Sequence, residues 1–499
     1  MKHGLSGDKV LGKMVQFQNQ TPFGGRLLMV GFGCIGQGVL PLLLRHLDLS
    51  PAQIQIVARD DAGSDVASQY GATLTRMTIR PDNYADFLAS RLQPGDLLLN
   101  VAVGVSSIDL IEWCQRQGVL YLDTSIEPWE GEFLEAERSA AERSNYMLRE
   151  AVLGLRRSSH PAATALTGHG ANPGLVTHFV KQALLNIAGD TQVELPTRPL
   201  IRGDWAQLAR QLSISSIQVA ERDTQTDRRR KQADEFVNTW SVQAFINESR
   251  QPAELGWGTH ERDFPTLGYT HTTGCRSSIY LNRAGAATHV GTWTPMGGDA
   301  TAFLISHGES ISISDYLTID EGGKAAYRPT VHFAYCPTED AAHSLQDLLQ
   351  SNWSLRQRHR VLNGGITSGM EELGVLLGGH SRGGYWFGSR LSIDQTRDLV
   401  PHNNATTLQV AAAVVAGLIW VIRNPWAGII EAGDIDFQFV LSFATPYLGT
   451  IVREYTAWNP LLGCDHAELG NVDVSDAWQF HNFLRCQNYG ASGAREPDR

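Results

Sequence analysis

Short uncharged runs alternate with amphipathic segments over the first third of the chain. Strands are predicted for the uncharged runs at residues 27–30, 54–58 and 97–103, and for the run at 119–123, which ends in Asp123. The segments between them carry apolar residues every three or four positions, which predicts helices. Uncharged runs are typical of strands that are buried on both faces. The alternation therefore predicts an α/β fold with a Rossmann-type doubly wound parallel sheet, whose ligands bind at the carboxyl ends of the strands.

A glycine-rich turn follows the first predicted strand. Gly31, Gly33 and Gly36 have the spacing G-x-G-x-x-G, with Cys34 and Ile35 between them. The first glycine allows a tight turn, the second lets the backbone approach a pyrophosphate, and the third allows the helix to pack closely on the strand. Because a helix N-terminus presents N–H groups to an anion, these five residues predict a dinucleotide-binding site.

The end of the second strand bears on the identity of the dinucleotide. Arg59 is followed by Asp60 and Asp61. A carboxylate at this position commonly binds the ribose hydroxyls of NAD, whereas an arginine favours the extra phosphate of NADP. We expect Asp60 to bind the ribose and NAD to be the cofactor, with NADP as the alternative that Arg59 leaves open. Other strand ends place three more residues beside the cofactor: Asn100, Ala102 and Thr124.

The pattern changes in the middle of the chain. Residues 187–401 are richer in Thr, Trp, His and Gly, and we expect a second, mixed α/β domain that carries the substrate site. The predicted divisions are a flexible leader (1–23), an NAD-binding domain (24–186, completed by 402–487), the substrate domain (187–401) and a disordered tail (488–499). An apolar run at 408–422 predicts a buried helix that packs back on the nucleotide-binding domain.

Between the two domains, Asn172 precedes Pro173 at the predicted start of a helix. An asparagine at this position either caps the helix or offers its amide to a ligand, and the spacing leaves both interpretations open.

Composition narrows the class of protein. The 499 residues carry a net charge of -11, which argues against a nucleic-acid partner and tolerates a cationic substrate. The six cysteines are scattered without a C-x-x-C motif, so we expect free thiols in a reducing compartment and no structural metal. The N-terminus has no secretory h-region, and the 408–422 run is short for a membrane span. We therefore expect a cytoplasmic enzyme, most simply a homodimer, that binds no membrane.

Six short blocks occur in order from about residue 24 to at least residue 310: GFGCIGQG, IEPW, GANPG, AERDTQ, FVNTW and ISHGES. In this combination the sequence resembles the bacterial homospermidine synthases of the saccharopine-dehydrogenase-like group. The resemblance implies an NAD-dependent enzyme that joins two putrescines, or spermidine and putrescine, and reduces and reoxidises NAD within one turnover. It also implies polyamine and cofactor contacts at six residues: Glu127, Asn172, Glu221, Trp240, Glu248 and His307. At Gly104, where some members have an acidic residue, the chain departs from the family.

These residue types suit a diamine pocket. Glu221 and Glu248 are expected to hold the distal ammonium and relay a proton. Trp240 is expected to pack against a cationic iminium, in a cation–π contact worth about 2 kcal/mol when desolvated. His307 and Glu127 are expected to transfer a proton or to anchor the substrate. Because the hydride is returned, we expect NAD to stay bound between turnovers.

Two other functions stay open at this point. One is a Schiff-base reductase of the saccharopine or carboxyspermidine dehydrogenase type, which consumes NAD(P)H. The other is a non-catalytic dinucleotide sensor. The grouping of Glu221, Trp240 and Glu248 argues against the sensor, since a sensor needs no aromatic pocket with carboxylates.

Overall fold

The structure is a computed structural model that describes residues 20–132, 138–156, 162–193, 199–462 and 473–485. The predicted tail (488–499) and residues 1–19 of the predicted leader lie outside these ranges. In the N-terminal part, strands and helices alternate. The strands are β1 (Thr21–Pro22), β2 (Leu27–Val30), β3 (Leu47–Asp48), β4 (Ile54–Ala58), β5 (Thr73–Arg76), β6 (Leu97–Asn100), β7 (Leu120–Asp123) and β8 (Ala165–Thr167). The helices are α1 (Cys34–His46), α2 (Ser64–Gln69), α3 (Tyr84–Ala89), α4 (Ser107–Gln117) and α5 (Asn145–Gly154).

The remainder of the described chain is richer in strands. They are β9 (Ser216–Asp223), β10 (Thr226–Asp227), β11 (Glu235–Asn238), β12 (Pro252–Gly256), β13 (Gly268–Thr270), β14 (Ser278–Ala284), β15 (His289–Thr294), β16 (Gly298–Phe303), β17 (Ile319–Glu321), β18 (Lys324–Tyr327), β19 (Thr330–Cys336), β20 (Arg358–Val361), β21 (Ile366–Ser368), β22 (Met370–Gly378), β23 (Gly384–Ser392), β24 (Ile429–Glu431), β25 (Thr450–Thr456) and β26 (Leu484–Arg485). The helices are α6 (Leu175–Asp190), α7 (Arg202–Gln211), α8 (Val242–Arg250), α9 (Gly308–Tyr316), α10 (Glu339–Gln350), α11 (Ile393–Leu399), α12 (Ala405–Arg423), α13 (Phe437–Ala444) and α14 (Phe480–Phe483).

The first sheet is parallel throughout and, over the described residues, has seven strands in the order β24-β8-β7-β6-β2-β4-β5. The chain runs from β2 outward to β4 and β5, and then returns to β6 on the other side of β2. The order therefore reverses between β2 and β6, which is where ligands bind in doubly wound sheets. All residues of β2, β6 and β7 are buried, as the uncharged runs predict. The Rossmann-type prediction is confirmed.

The second sheet is mixed and has eleven strands in the described ranges. Its main order is β13-β14-β12-β19-β9-β22-β23-β25, and β16, β15 and β26 continue from β19. β9 and β19 run parallel, whereas β22 runs antiparallel to β9. β19, β9 and β22 are therefore neighbours, and their side chains on one side of the sheet form a common face. The prediction of a second mixed α/β domain is confirmed.

The C-terminal part of the chain contributes to both sheets. α12 packs against α1 and β7, and β24 extends the first sheet. The predicted buried helix at 408–422 is confirmed: α12 is long and apolar enough to cross a membrane, but 83% of its most hydrophobic window is buried within the protein. β25 and β26 instead join the second sheet, because β23 and β15 offer them antiparallel edges. This corrects the expectation that all of residues 402–487 belong with the nucleotide-binding domain.

Two further predictions differ from the structure at their boundaries. Residues 21–23 were expected in a flexible leader, but Thr21 pairs with Leu47 and the Phe23 side chain is buried, so this segment is part of the fold. The strand predicted at 97–103 ends at Asn100. Beyond it the backbone turns to pass Gly31 closely, since a Cβ on that glycine would lie 2.7 Å from the backbone nitrogen of Ala102.

Four of the six cysteines lie in the described ranges, and they are free thiols as predicted: Cys34, Cys114, Cys275 and Cys336. Cys464 and Cys486 lie outside the described residues.

Candidate active site

A pocket lies between the carboxyl edge of the first sheet and one face of the second. The segments after β6, β7 and β8 form one wall. β9, β19, α8 and the start of α9 form the other. Nine residues selected from the sequence line it: Ile35, Ala102, Thr124, Glu127, Asn172, Glu221, Trp240, Glu248 and His307. The structure therefore brings together all six residues that the family resemblance singled out.

The glycine turn after β2 leaves room for an anion. Gly31 has a φ of +91°, and the close approach of Ala102 excludes a side chain there. Gly33 precedes α1, and no described atom lies within 4 Å of the place its Cβ would take. Among the described residues no side chain caps α1, so the N–H groups of its first turn, from Cys34 onward, stay open to a ligand. At Gly36 a Cβ would lie 2.9 Å from the Gly31 carbonyl oxygen, which accounts for the third glycine.

The remaining predicted cofactor residues lie near the same edge, outside the pocket wall. The Asp60 side chain is 58% exposed just beyond β4, and the Arg59 side chain next to it is 62% exposed. Both side chains are therefore free to approach an adenosine ribose. Asn100 is buried at the end of β6, where its Oδ1 accepts a hydrogen bond from the Ala102 N–H at 3.2 Å. Burial raises the pKa of the Cys34 thiol to about 11, so that thiol is neutral.

Glu221 lies on β9 with its carboxylate at the pocket wall. Its Oε2 accepts a hydrogen bond from Nδ2 of Asn172 at 2.6 Å. Burial raises the pKa of Glu221 to about 8, although the neighbouring His307 charge and the Asn172 hydrogen bond both lower it. Gly174, not Asn172, is the N-cap of α6. Of the two interpretations left open for Asn172, the structure thus rules out the helix cap.

His307 is held between two carboxylates. Its Nε2 lies 3.0 Å from Glu248 Oε2, and its Nδ1 lies 3.3 Å from Glu309 Oε1. The ring also stacks on Phe333, with 4.4 Å between centroids. Burial lowers the pKa of His307, but the two carboxylates outweigh it and raise the pKa well above its ordinary value. The two carboxylates therefore favour the protonated, imidazolium form of this side chain.

Glu127 occupies the opposite wall, after β7. Its Oε2 accepts a hydrogen bond from the Gly104 N–H at 3.2 Å, and its Oε1 accepts one from the Ser125 hydroxyl at 3.1 Å. Burial raises the pKa of Glu127 to about 7. Gly104 has a φ of +74°, in the left-handed region that disfavours other residues. The glycine that departs from the family pattern thus supplies a backbone donor to a pocket carboxyl group.

Trp240 lies between β11 and α8 and is half-buried at the pocket wall. Its Nε1 donates a hydrogen bond to the Tyr335 hydroxyl at 3.3 Å, and its ring contacts Phe245 with 5.4 Å between centroids. These two contacts fix the plane of the indole. A fixed indole face beside Glu221 and Glu248 is suited to a cation.

Sequence reasoning missed two residues that hold pocket side chains in position. Glu309 is fully buried against His307, and Tyr335 holds the indole of Trp240. Glu309 lies in the ISHGES block two residues after His307, so the block contained the signal. Tyr335 is two positions after Phe333 on β19, and the alternation of a strand places both on the pocket face.

Comparison with known proteins gives a consistent result. Residues 27–166 match the family described as "Saccharopine dehydrogenase NADP binding domain", and residues 170–456 match "Saccharopine dehydrogenase C-terminal domain". A homospermidine synthase of Blastochloris viridis is 44% identical over 469 residues, which cover 92% of this chain and 97% of the relative. A homospermidine synthase of Mesorhizobium japonicum is 41% identical over 467 residues, which cover 92% and 96%.

A solved structure is similar over nearly the whole chain. The crystal structure of the homospermidine synthase of Legionella pneumophila, in complex with NAD, has a TM-score of 0.87 and 43% sequence identity. The match covers 94% of this chain and 99% of that one.

Proposed function

The chain belongs to the homospermidine synthase family, and from this premise we propose that its pocket transfers an aminobutyl group from putrescine to a second amine, using NAD. With putrescine as both donor and acceptor the products are homospermidine and ammonia. With spermidine as the donor, diaminopropane is released instead. Membership of this family favours the synthase over the Schiff-base reductase and the sensor that the sequence alone left open.

The observation that carries the proposal is the convergence of opposite charges and an aromatic face in one cavity. Glu221, Glu248 and Glu309 surround the imidazolium of His307, so the cluster carries an excess of negative charge when all three are ionised. Such a cavity attracts a diamine, which carries ammonium groups with pKa values near that of lysine, about 10.4. We assign the distal ammonium to Glu248, because His307 fixes its orientation.

NAD fits the edge of the first sheet. The open space beside Gly33, together with the uncapped first turn of α1, suits the pyrophosphate, and we assign the exposed Asp60 to the ribose hydroxyls. Ile35, Ala102 and Thr124 line the part of the pocket nearest this edge and would contact the nicotinamide side. When bound, NAD supplies the acceptance and later return of a hydride.

We assign the first proton transfer to Glu221. An ammonium group must become a neutral amine before its carbon can lose hydride, so the pocket needs a carboxylate that accepts this proton. The buried Glu221, with a pKa near 8, holds a proton more readily than an exposed glutamate. Asn172 donates to Glu221 Oε2 and so keeps the carboxylate directed at the pocket.

We assign Trp240 to the cation that forms in the next step. Loss of hydride from the neutral amine leaves an iminium, and the indole face stabilises this positive charge. The second amine attacks the iminium carbon, ammonia leaves, and the returned hydride reduces the new Schiff base. Glu127, across the pocket and close to Gly104, is assigned to the second amine, where a carboxyl group with a pKa near 7 can accept its proton.

The proposal extends to a homodimer in the cytoplasm. The free thiols at Cys34, Cys114, Cys275 and Cys336 suit a reducing compartment. Two-fold dimers are the commonest assemblies of soluble enzymes. Light scattering of the purified protein on a sizing column is expected to give twice the mass of the chain.

The proposed function is tested by incubating the protein with putrescine and NAD and following two signals together. Mass spectrometry is expected to detect homospermidine, while the absorbance of reduced nicotinamide shows no net increase. Steady accumulation of NADH, or absence of a new polyamine, contradicts the proposal. Glu221→Gln is the matched variant, since it keeps the side-chain shape and removes the proton acceptor.

A further inference from the structure

We propose that Thr406, Glu371 and Asp223 form a proton path from the substrate pocket to a second cavity beyond the ends of β9 and β19. The second cavity is lined by Arg222, Asp223, Thr224, Gln225, Thr226, Arg230, Cys336, Pro337, Glu339 and Asp340. The inference rests on the proposed function, because it concerns the protons that the two amines must give up in the pocket.

The reaction needs protons to leave and return at different steps. Each of two amines enters as an ammonium and loses one proton before it can react. At the end, ammonia leaves as ammonium and the new secondary amine is protonated. Over the whole turnover the number of protons released equals the number taken up. At the steps between, protons must leave the pocket or return to it. With NAD and two amines filling the pocket, its inner wall near Glu221 needs another route to solvent.

Thr406 is the pocket end of the proposed path. It lies in the first turn of α12 and its side chain reaches the pocket wall. Its Oγ1 lies 2.7 Å from Glu371 Oε2 and 3.4 Å from Asp223 Oδ2, and it accepts a hydrogen bond from Gln225 Nε2 at 3.1 Å. A hydroxyl group has one hydrogen and two lone pairs, so it can accept a proton from the pocket while donating its own to a carboxylate.

Glu371 and Asp223 form the middle of the path. They are directly opposite each other on β22 and β9 and therefore share one face of the sheet. Glu371 is fully buried, hydrogen-bonds to Asp223, and has no donor to its Oε1 among the described residues. An oxygen without a donor, next to a carboxylate, is the natural position for a proton. Burial and the neighbouring carboxylates raise the pKa of Glu371 well above its ordinary value.

Asp223 is the outer end. It accepts hydrogen bonds from the Gln225 N–H at 2.8 Å and from the Thr239 hydroxyl at 2.7 Å. Asp223 and Gln225 also line the second cavity, at whose rim the Arg230 side chain is 53% exposed. Arg230 is tied to Asp340 at 3.0 Å, which keeps its charge at the rim and away from Asp223. Asp223 thus has Thr406 and Glu371 on one side, and on the other side the second cavity, which provides a route to solvent.

Transfer along the path balances without any redox change. A proton released in the pocket bonds to the Thr406 oxygen as the Thr406 O–H bond breaks towards Glu371. Glu371 passes its resident proton to Asp223, and Asp223 releases one to water in the second cavity. At the first hop an N–H or O–H bond in the pocket breaks as an O–H bond forms on Thr406, and at each later hop one O–H bond forms as another breaks, so one proton moves outward. The reverse sequence returns protons for ammonia and for the product.

The path is tested with Thr406→Val and Glu371→Gln in the full-length protein. Thr406→Val keeps the side-chain shape, and therefore serves even where Glu371→Gln does not fold. The matched control is Glu372→Gln, which removes an equally buried carboxylate from the other face of β22, where it accepts hydrogen bonds from Thr294 and Met296. The enzyme with NAD is mixed rapidly with putrescine in weakly buffered solution, and a pH indicator and the absorbance of NADH are recorded together.

In the unmodified enzyme we expect proton release in step with NADH formation. In Thr406→Val and Glu371→Gln both signals should slow by about 10-fold or more, since a positioned proton-transfer group contributes about 100-fold or more. Imidazole, a small proton carrier, should partly restore the rate in these variants, which a purely structural defect would not allow. Glu372→Gln should behave as the unmodified enzyme.

Two outcomes separate the two proposals. Wild-type rates of proton release in Thr406→Val overturn the proton path and leave the proposed function intact. Failure of the unmodified enzyme to form homospermidine from putrescine and NAD contradicts the proposed function itself.

Discussion

Glu221 sets the pH dependence expected of the reaction. As a proton acceptor it must be ionised, and burial raises its pKa to about 8. The value of kcat/KM should therefore rise as the pH increases through about 8. Below that pH the value should be low, because the protonated carboxyl group cannot accept a proton. Glu221→Gln should lose this limb of the profile together with most activity. A profile that is flat between pH 6 and about 9 would contradict the assignment.

Substitutions at Trp240 test the proposed cation–π contact. Trp240→Phe keeps an aromatic face but loses the hydrogen bond to Tyr335, whereas Trp240→Ala loses both. We expect the alanine variant to lose about 30-fold in kcat, corresponding to roughly 2 kcal/mol, and the phenylalanine variant to lose far less. Tyr335→Phe is the control, since it removes the hydrogen bond alone. Equal losses in the two tryptophan variants would count against the contact.

At the scale of single elements, the N-terminus of α1 is the proposed binding site of the NAD pyrophosphate. Gly33 has a φ of -72°, which any residue adopts, and its Cβ would meet no described atom within 4 Å. Gly33→Ala should therefore fold normally while its methyl group takes the space of the pyrophosphate. Since NAD need not leave between turnovers, the unmodified protein should purify with dinucleotide bound, and Gly33→Ala without it.

The dinucleotide content is measured by chromatography after the protein is denatured. Gly189→Ala, near the end of α6 and also in open space, is the matched control and should retain NAD. Retention of NAD by Gly33→Ala would contradict the proposed position of the pyrophosphate.

The elements also explain which features the sequence could predict. The strands at 27–30 and 54–58 and the helix at 408–422 follow from local patterns of apolar residues, and the structure has them there. Pairing between distant strands has no such local signal. Glu371 and Asp223 become neighbours only through the register of β22 on β9, and no local pattern links these two positions in the sequence. Asn172 was ambiguous for the same reason, because its partner Glu221 lies 49 residues away.

At the scale of the whole molecule, a buried guanidinium joins the two walls of the pocket. Arg149 of α5 binds Glu431 at 2.6 Å and Asp315 at 2.8 Å. Glu431 ends β24 of the first sheet, and Asp315 belongs to α9 on the second. The position of His307, which immediately precedes α9, thus depends on a link across the molecule.

Arg149→Met is expected to destabilise the protein, because it removes the guanidinium partner of the largely buried Glu431 and leaves Asp315 with Arg202 alone. Breaking a buried ion pair costs about 3 kcal/mol or more, whereas Arg156→Met, a control at an exposed pair with Asp434, should cost less than about 1 kcal/mol. Urea unfolding measures both. Equal stability of the two variants would show that the link does not hold the walls together.

In the proposed reaction a hydride is taken from one amine carbon and returned to the same carbon within one turnover. This return is tested most directly with putrescine that carries deuterium on both amine carbons, in the presence of excess unlabelled NADH. We expect homospermidine that retains every deuterium, since the bound cofactor returns the hydride it received. Homospermidine that lacks one deuterium would mean that the reduced cofactor exchanges with solution before the second step, and would contradict the return of the same hydride.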